Sequence, residues 1–189
     1  FCFGNASNKH VPKRLNLEQT SSEITATYKS EKIKGKSLVD VTGGFGVDSF
    51  FFSKKLDQVF HCEIDEELSE IAEHNFNTLG AKNIVSIQGD GLDFLKLSKL
   101  HFDWIFLDPS RRHDSKGKVF LLTDCLPNVP ENLELLFDKA DRILIKTSPL
   151  LDLSVGLEEL QDVFEIHIVA VHNEVKELLW FLRKGMKGK

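Results

Sequence analysis

The chain has 189 residues, of which 41% are hydrophobic and 28% are charged, and its formal net charge is −5 at pH 7. This length supports one well-buried domain and is too short for two comfortable ones. The negative charge excludes a global basic field that would draw the whole chain onto nucleic acid or an anionic membrane. No run approaches the roughly 18 consecutive apolar residues of a membrane helix, so we expect a cytoplasmic protein with no membrane partner.

The three cysteines are odd in number, widely spaced and lack a Cys-x-x-Cys pair. This pattern argues against a disulfide framework and against a zinc cluster. We therefore expect a reducing compartment and no bound metal. Because the chain begins with Phe1 rather than methionine, we expect it to be a piece of a longer protein, in which residues 1–14 are an irregular segment.

A helix is predicted within residues 15–34, since Thr20 and Glu23 have the spacing of a capping box. The start of this segment is unusually polar and includes Gln19 and Ser21. These polar side chains are either a solvated helix start or a group that closes over a ligand bound by the loop that follows.

A short apolar strand then runs into a glycine-rich turn. Residues 37–41 are Ser-Leu-Val-Asp-Val, which predicts a buried strand. Gly43, Gly44 and Gly46 follow, and residues 47–55 are predicted to be a helix. Glycine has no Cβ, so the backbone of such a turn can approach a ligand closely. The sequence therefore predicts a ligand-binding loop at this point.

Strands alternate with helices through the rest of the chain. Predicted strands cover residues 59–65, 84–88, 102–107, 142–146, 163–171 and 174–183, and predicted helices cover residues 66–79, 92–100, 130–140 and 150–160. A tight turn at His172-Asn173 separates the last two strands. We expect an α/β fold, with a Rossmann-like seven-stranded, mostly parallel sheet, an antiparallel closing hairpin and helices on both faces.

Acidic residues stand at the ends of the first three predicted strands, namely Asp40, Glu63 and Asp90. Ligands of doubly wound sheets bind outside the carboxyl ends of the strands. Glu63 follows Gly44 by 19 residues, which is where a nucleotide-cofactor site places the acid that accepts the ribose hydroxyls. Asp40 is suited to an ammonium group of the ligand and Asp90 to the exocyclic amine of adenine. Each of them alone is also a common cap at a strand end.

Two nucleotide cofactors are compatible with this pattern. A dinucleotide site requires Gly-x-Gly-x-x-Gly or Ala, and counting from Gly44 the third position is Ser49. S-adenosylmethionine carries an ammonium group that NAD lacks, so Asp40 and Asp90 together favour S-adenosylmethionine. An NAD-binding oxidoreductase and a non-catalytic S-adenosylmethionine-binding module remain as alternatives.

The motifs Asp40-x-Thr-Gly-Gly-x-Gly, Glu63, Gly89-Asp90 and Asp108-Pro109 resemble the successive motifs of class I S-adenosylmethionine-dependent methyltransferases. The resemblance covers roughly residues 15–183 and implies a methyltransferase domain over residues 15–185. It implies cofactor above the first three strands and a methyl acceptor at the fourth. The cofactor-binding residues that it implies are Asp40, Thr42, Gly43, Gly44, Gly46, Glu63 and Asp90, with Gln19 and Ser21 added from the polar segment.

A narrower resemblance concerns three runs: Glu-Gln-Thr-Ser-Ser-Glu at residues 18–23, Asp-x-Thr-Gly-Gly-Phe-Gly-Val-Asp at residues 40–48 and Asp-Pro-Ser-Arg-Arg at residues 108–112. All three are similar to a bacterial group of methyltransferases whose longer members carry an added THUMP-like, RNA-associated domain. This resemblance implies an enzyme of RNA modification that acts on a base of tRNA or rRNA. It also implies a further domain outside the present sequence.

The acceptor side departs from the Asp/Asn-Pro-Pro-Tyr/Phe pattern of enzymes that methylate amino groups. In that pattern a carboxylate or amide and a backbone carbonyl accept the amine hydrogens, while an aromatic ring stacks on a flipped base. Here the aromatic residue is missing, but a guanidinium plane can also stack on a base or bind a phosphate. Catalytic roles are therefore predicted for Asp108 and Pro109, and substrate binding for Ser110, Arg111, Arg112 and Lys146. The alternative is that one arginine is a structural clamp on Asp108 or Asp114.

Overall fold

The computed structural model describes residues 20–111 and 120–186, so Gln19 and Arg112, with the roles predicted for them, lie outside the described residues. Seven strands form one mostly parallel sheet that ends in an antiparallel hairpin, with helices packed around it. This arrangement confirms the predicted Rossmann-like α/β fold. The chain divides into two compact units, with the boundary between Ser98 and Lys99.

The first unit contributes three parallel strands in the order β3-β2-β1. Its elements are α1 (Glu23–Lys32), β1 (Ser37–Asp40), α2 (Val47–Ser53), β2 (Gln58–Glu63), α3 (Glu66–Thr78), β3 (Ile84–Gln88) and α4 (Gly91–Leu97). Because the three strands are parallel, their carboxyl ends and the loops that follow them meet at one edge.

Helix α1 begins later than the capping-box spacing predicts. Its N-cap is Ser22, whose side chain accepts a hydrogen bond from the backbone N–H of Thr25. The predicted capping box of Thr20 and Glu23 is therefore wrong, because Ser22 already satisfies an exposed amide of the first turn. Ala26 of this helix packs against Phe51 of α2 in a shared apolar cluster.

The second unit contributes four strands in the order β4-β7-β9-β8. Its elements are β4 (Phe102–Leu107), β5 (Ser110–Arg111), a 3₁₀ turn (Leu122–Asp124), β6 (Cys125–Leu126), α5 (Val129–Lys139), β7 (Ala140–Thr147), α6 (Leu153–Glu159), β8 (Val163–Val171) and β9 (Glu174–Arg183). Strand β7 is parallel to β4, whereas β9 is antiparallel to both β7 and β8. Strands β5 and β6 form a separate two-stranded pair that the sequence did not predict.

The closing hairpin joins β8 to β9 through His172 and Asn173. Both residues have positive φ angles, 54° and 63°, as a two-residue turn of type I′ requires. Trp180 in β9 is fully buried, and its indole N–H donates to Thr147 Oγ1 at 3.0 Å. A buried indole needs such an acceptor, so this bond helps to fix β9 against β7.

Candidate functional site

The glycine-rich loop runs from the end of β1 to the start of α2. Gly44 and Gly46 have φ angles of +57° and +78°, a backbone conformation that favours glycine. A Cβ on Gly46 would lie 2.3 Å from the Phe76 ring, and a Cβ on Gly43 would lie 2.2 Å from the His61 ring. A Cβ on Gly44 would instead come no closer than 3.8 Å to another atom. The loop is thus tightly packed at two glycines and open at the third.

Glu63, at the end of β2, holds this loop. Its Oε2 accepts a hydrogen bond from the N–H of Gly44 at 2.7 Å, and its Oε1 accepts one from the N–H of Asp65 at 2.8 Å. A carboxylate offers about four lone-pair sites, so Glu63 can make these bonds and also accept hydrogen bonds from ligand hydroxyls.

Asp40, at the end of β1, lies beneath the loop and is only 1% exposed. Its Oδ2 accepts from the hydroxyl of Ser49 at 2.7 Å, and its Oδ1 accepts from the N–H of Thr42 at 3.1 Å. The carboxylate therefore fixes Thr42, near the start of the loop. Its predicted contact with a ligand ammonium group stays a prediction.

Asp90 is exposed and caps helix α4. Its Oδ1 accepts from the backbone N–H groups of Leu92 at 2.7 Å and Asp93 at 3.2 Å. Its role as a cap is thus present in the structure, and its contact with adenine stays a prediction. The adjoining Gly91 lies so close to the residue after β1 that a Cβ there would be 2.5 Å from Val41.

The electrostatic effect of the three acids is visible at Cys62. Burial, together with the negative charges of Asp40, Asp90 and Glu63, raises the pKa of this thiol to about 12. Cys62 is therefore a protonated, buried thiol at physiological pH. The three carboxylates concentrate negative charge at the edge of the first unit where the loop lies, which suits a ligand that carries positive charge.

A buried ion pair beside the loop was missed by the sequence analysis. Lys29 in α1 is fully buried, and its Nζ lies 3.2 Å from Oδ1 of Asp48 in α2. Lys29 also donates to the hydroxyl of Ser21 at 3.0 Å, and Ser21 donates to Oδ2 of Asp48 at 2.7 Å. Ser21 is thus tied to the helix that follows the loop, and its predicted contact with the cofactor stays a prediction.

The second unit brings together a predicted catalytic and a predicted substrate-binding residue. Strands β4 and β7 pair Leu107 with Ile145, so the next positions, Asp108 and Lys146, are neighbours. The Nζ of Lys146 donates to Oδ2 of Asp108. The Lys146 side chain is 11% exposed and that of Asp108 is 35% exposed, so the pair is partly shielded from water. The structure thus places a lysine on Asp108, and the arginine clamp considered from the sequence stays a prediction.

Ser110 and Arg111 form strand β5, where they pair with Leu126 and Cys125 of β6. Ser110 is exposed. The guanidinium of Arg111 lies over the ring of Phe120, with its carbon 5.4 Å from the ring centroid, in the range of a cation–π contact. The guanidinium plane is therefore supported from one side by an aromatic ring.

Glu159, at the end of α6, anchors the 3₁₀ turn that leads into β6. Its two carboxylate oxygens accept from the N–H of Leu122 at 2.7 Å and from the N–H of Thr123 at 3.0 Å. No sequence signal indicated this contact, because the partners lie 36 and 37 residues apart.

Within residues 20–111 and 120–186, no group of three or more His, Cys, Asp or Glu side chains is placed to hold a metal ion. None of the helices described is long and apolar enough to cross a membrane.

No protein-family model matches the chain. Over 86 residues, or 44% of the chain, it is 28% identical to a tRNA (guanine(26)-N(2))-dimethyltransferase of Methanobrevibacter smithii, of which the match covers 22%. A crystal structure of a putative methyltransferase from Porphyromonas gingivalis is 37% identical, with a TM-score of 0.84, over 93% of this chain and 43% of that one. The chain thus spans less than half the length of either protein.

An O-methyltransferase from Bacillus cereus, solved in complex with S-adenosylhomocysteine, is 14% identical with a TM-score of 0.65. This likeness covers 92% of the present chain and 93% of the other, and at this identity it concerns the fold.

Proposed function

Since the chain has the fold of class I S-adenosylmethionine-dependent methyltransferases, we propose that it is such an enzyme and that it acts on RNA. The observation that carries the proposal is the loop at Gly44, which is open above the backbone and lies at the edge that carries Asp40, Glu63 and Asp90. S-adenosylmethionine has a net positive charge, so negative carboxylates at this edge favour its binding.

The geometry of the first unit supports the cofactor contacts that we propose. Glu63 is the acceptor for the ribose hydroxyls and Asp90 the acceptor for the adenine amine. The backbone around Gly44 packs against the ligand, and Asp40 supports the loop from below. The remaining contacts proposed from the sequence are those of Thr42, Gly43, Gly46, Gln19 and Ser21.

The same geometry disfavours NAD. The third glycine of a dinucleotide site allows a helix and strand to pack closely, whereas Ser49 at that position donates its hydroxyl hydrogen to Asp40. The pyrophosphate of NAD is also negative, and the carboxylates that raise the pKa of Cys62 would repel it.

The methyl acceptor is proposed to lie at Asp108 and Pro109 of the second unit. Asp108 bound to Lys146 is held in one orientation, and its remaining lone pairs can accept a hydrogen from an amine. With the backbone carbonyl of Pro109 accepting a second hydrogen, the nitrogen lone pair is left free to accept a methyl group. S-adenosylmethionine supplies that methyl group when bound. Such catalysis consists mostly of holding two reactants in line.

An RNA base with an exocyclic amine is the acceptor that we propose. The Methanobrevibacter smithii relative is a tRNA guanine-N2 dimethyltransferase by name, and that nitrogen is an exocyclic amine. Arg111, supported by Phe120, offers a guanidinium plane for a base or a phosphate, with Ser110 and Arg112 beside it. We further propose that the full-length protein carries an RNA-associated domain of the THUMP-like kind.

Thermal unfolding with S-adenosylhomocysteine and with NAD tests the proposed function. A ligand at about 100 times its dissociation constant adds roughly 2.7 kcal/mol of stability, so S-adenosylhomocysteine is expected to raise the melting temperature and NAD is not. Gly44→Val should abolish the shift, because the new side chain fills the space above the loop.

Gly80→Val is the matched control for this experiment. Gly80 has a φ angle of +73° and open surroundings, like Gly44, but lies after helix α3. Both substitutions strain the backbone by a similar amount, about 1–2 kcal/mol, and only Gly80→Val should keep the shift. A shift with NAD alone, or a full shift in Gly44→Val, would contradict the proposed cofactor site.

A further inference from the structure

Three buried polar side chains form a chain of contacts beneath the glycine-rich loop. They are Asp40 at the end of β1, Ser49 in α2 and His61 in β2. The Ser49 hydroxyl donates to Oδ2 of Asp40 at 2.7 Å and lies 3.2 Å from Nδ1 of His61. All three side chains are buried, so water does not compete for these contacts.

Simple proton counting fixes the direction of both bonds. A carboxylate can only accept, so the single hydroxyl hydrogen of Ser49 goes to Asp40. Nδ1 of His61 must then carry the ring hydrogen and donate it to Ser49. Burial lowers the pKa of His61 to about 4, so the ring is neutral at physiological pH. Its other nitrogen, Nε2, is buried and has no hydrogen-bond partner among the residues described.

This chain of contacts reaches the loop at two consecutive residues. Asp40 Oδ1 accepts from the N–H of Thr42 at 3.1 Å. The next residue, Gly43, lies so close to the His61 ring that a Cβ would be 2.2 Å from Cε1, and its N–H donates to the carbonyl of Cys62 at 2.8 Å. The position of the His61 ring and the orientation of Asp40 thus set the path of the backbone just before Gly44.

We propose that Ser49 and His61 are positioning residues for the cofactor, which act by orienting the Asp40 carboxylate and, through it, the glycine-rich loop. The inference rests on the proposed cofactor site and adds two residues to it. It also gives a reason for serine at position 49. A dinucleotide site has glycine or alanine there, and neither could orient Asp40.

Calorimetric titration with S-adenosylhomocysteine tests the role of Ser49. Ser49→Ala removes the donor to Asp40, and a hydrogen bond to a charged group corresponds to a loss of affinity of about tenfold or more. The matched control is Ser53→Ala in the same helix, whose hydroxyl donates to the carbonyl of Phe50 at 2.7 Å. Ser53→Ala should bind S-adenosylhomocysteine like the unsubstituted chain.

A pair of His61 variants separates positioning from packing. The amide nitrogen of Asn can take the place of Nδ1 and donate to Ser49, whereas that of Gln reaches the place of Nε2. The affinity of His61→Asn for S-adenosylhomocysteine should therefore stay within about threefold of that of the unsubstituted chain. The affinity of His61→Gln should fall by about tenfold. Asn leaves the larger cavity and should give the lower melting temperature. A purely structural role would rank affinity and stability in the same order.

Three results have distinct meanings. Equal affinity in Ser49→Ala and Ser53→Ala would overturn the inference, and so would equal or tighter binding by His61→Gln compared with His61→Asn. Failure of the unsubstituted chain to bind S-adenosylhomocysteine would instead overturn the proposed function itself.

Discussion

Lys29 shows how much polar chemistry is buried beside the loop of the first unit. Its ammonium group is removed from water and has Asp48 and Ser21 as partners. Removing one partner of a buried ion pair costs about 3–5 kcal/mol, because the remaining charge stays buried. Together with the contacts of Asp40, this pair joins α1, β1, β2 and α2 around one short loop, which favours a single conformation of its backbone.

The neutral state of His61 makes the stability of the protein depend on pH. Burial lowers the pKa of His61 from its ordinary value of 6.5 to about 4. Between these values the unfolded chain binds more protons, so the free energy of unfolding falls as the pH drops from 6.5 towards 4. Between pH 7 and pH 4.5, protonation of this one group should lower the free energy of unfolding by about 2 kcal/mol. Urea unfolding of the parent and of His61→Asn at both pH values measures the difference.

The variant comparison isolates His61 from carboxylates that titrate in the same range. On acidification, the free energy of unfolding of His61→Asn should fall by about 2 kcal/mol less than that of the parent. His101→Asn, a substitution at an exposed position, should behave like the parent. If the parent and His61→Asn lost the same free energy of unfolding on acidification, the His61 ring would have to be protonated in the folded protein well above pH 4.

The acids and glycines of the loop could be predicted from sequence because their signals are local. Gly44 and Gly46 follow a recognisable strand, and Asp40, Glu63 and Asp90 end strands with clear apolar runs. The partners of these residues could not be predicted. Ser49 meets Asp40 through the path of a helix, and Lys146 meets Asp108 across 38 positions. Such contacts depend on strand order and register, which apolar periodicity does not encode.

At the scale of elements, the seven long strands and their intervening helices were predicted with ends within a few residues. Apolar periodicity is strong in segments of this length. The pair β5 and β6 was missed because each strand has two residues, too few to show a period. The start of α1 was placed incorrectly because Thr20 and Ser22 are both good caps, and tertiary contacts decide between them.

Helix α6 offers a test in which two effects of one substitution oppose each other. Gly156→Ala improves helix propensity by about 1 kcal/mol. However, its Cβ would lie 2.3 Å from the buried ring of Trp180, and overpacking of this kind costs about 1–3 kcal/mol or more. Because the ring is fully buried in β9 and cannot move aside, we expect net destabilisation in urea unfolding.

Glu158→Ala supplies the control for this helix. Glu158 is exposed in α6, so the substitution changes propensity without changing the packing on Trp180, and stability should stay within about 0.5 kcal/mol. A Gly156→Ala variant as stable as Glu158→Ala would show that α6 shifts easily on the sheet.

At the scale of the whole molecule, binding of RNA must overcome a net charge of −5, with 29 acidic against 24 basic residues. Affinity for phosphate must then come from local basic groups, because the overall field repels it. Among the residues described, Arg111 and Lys146 are the basic side chains predicted to meet the substrate, and Lys146 is bound to Asp108.

Arg111→Ala should therefore weaken binding of a tRNA transcript and reduce the salt dependence of that binding. Each lost phosphate contact lowers the slope of log affinity against log salt by about one. Filter binding at several salt concentrations measures both quantities. Asp108→Ala should lose methyl transfer without weakening RNA binding, because it removes a negative charge and leaves Lys146 in place; this result separates binding from chemistry.

Arg142→Ala is the control, because it removes the same charge and a similar aromatic contact. The Arg142 guanidinium lies over Trp104 at 5.5 Å, near the start of β7, whereas Lys146 lies near its end. If Arg142 does not meet RNA, its loss leaves the salt slope unchanged, and only Arg111→Ala reduces it. An unchanged salt slope in Arg111→Ala would mean that this arginine is a structural clamp on Phe120. A protein or a small molecule would then be the better candidate for the methyl acceptor.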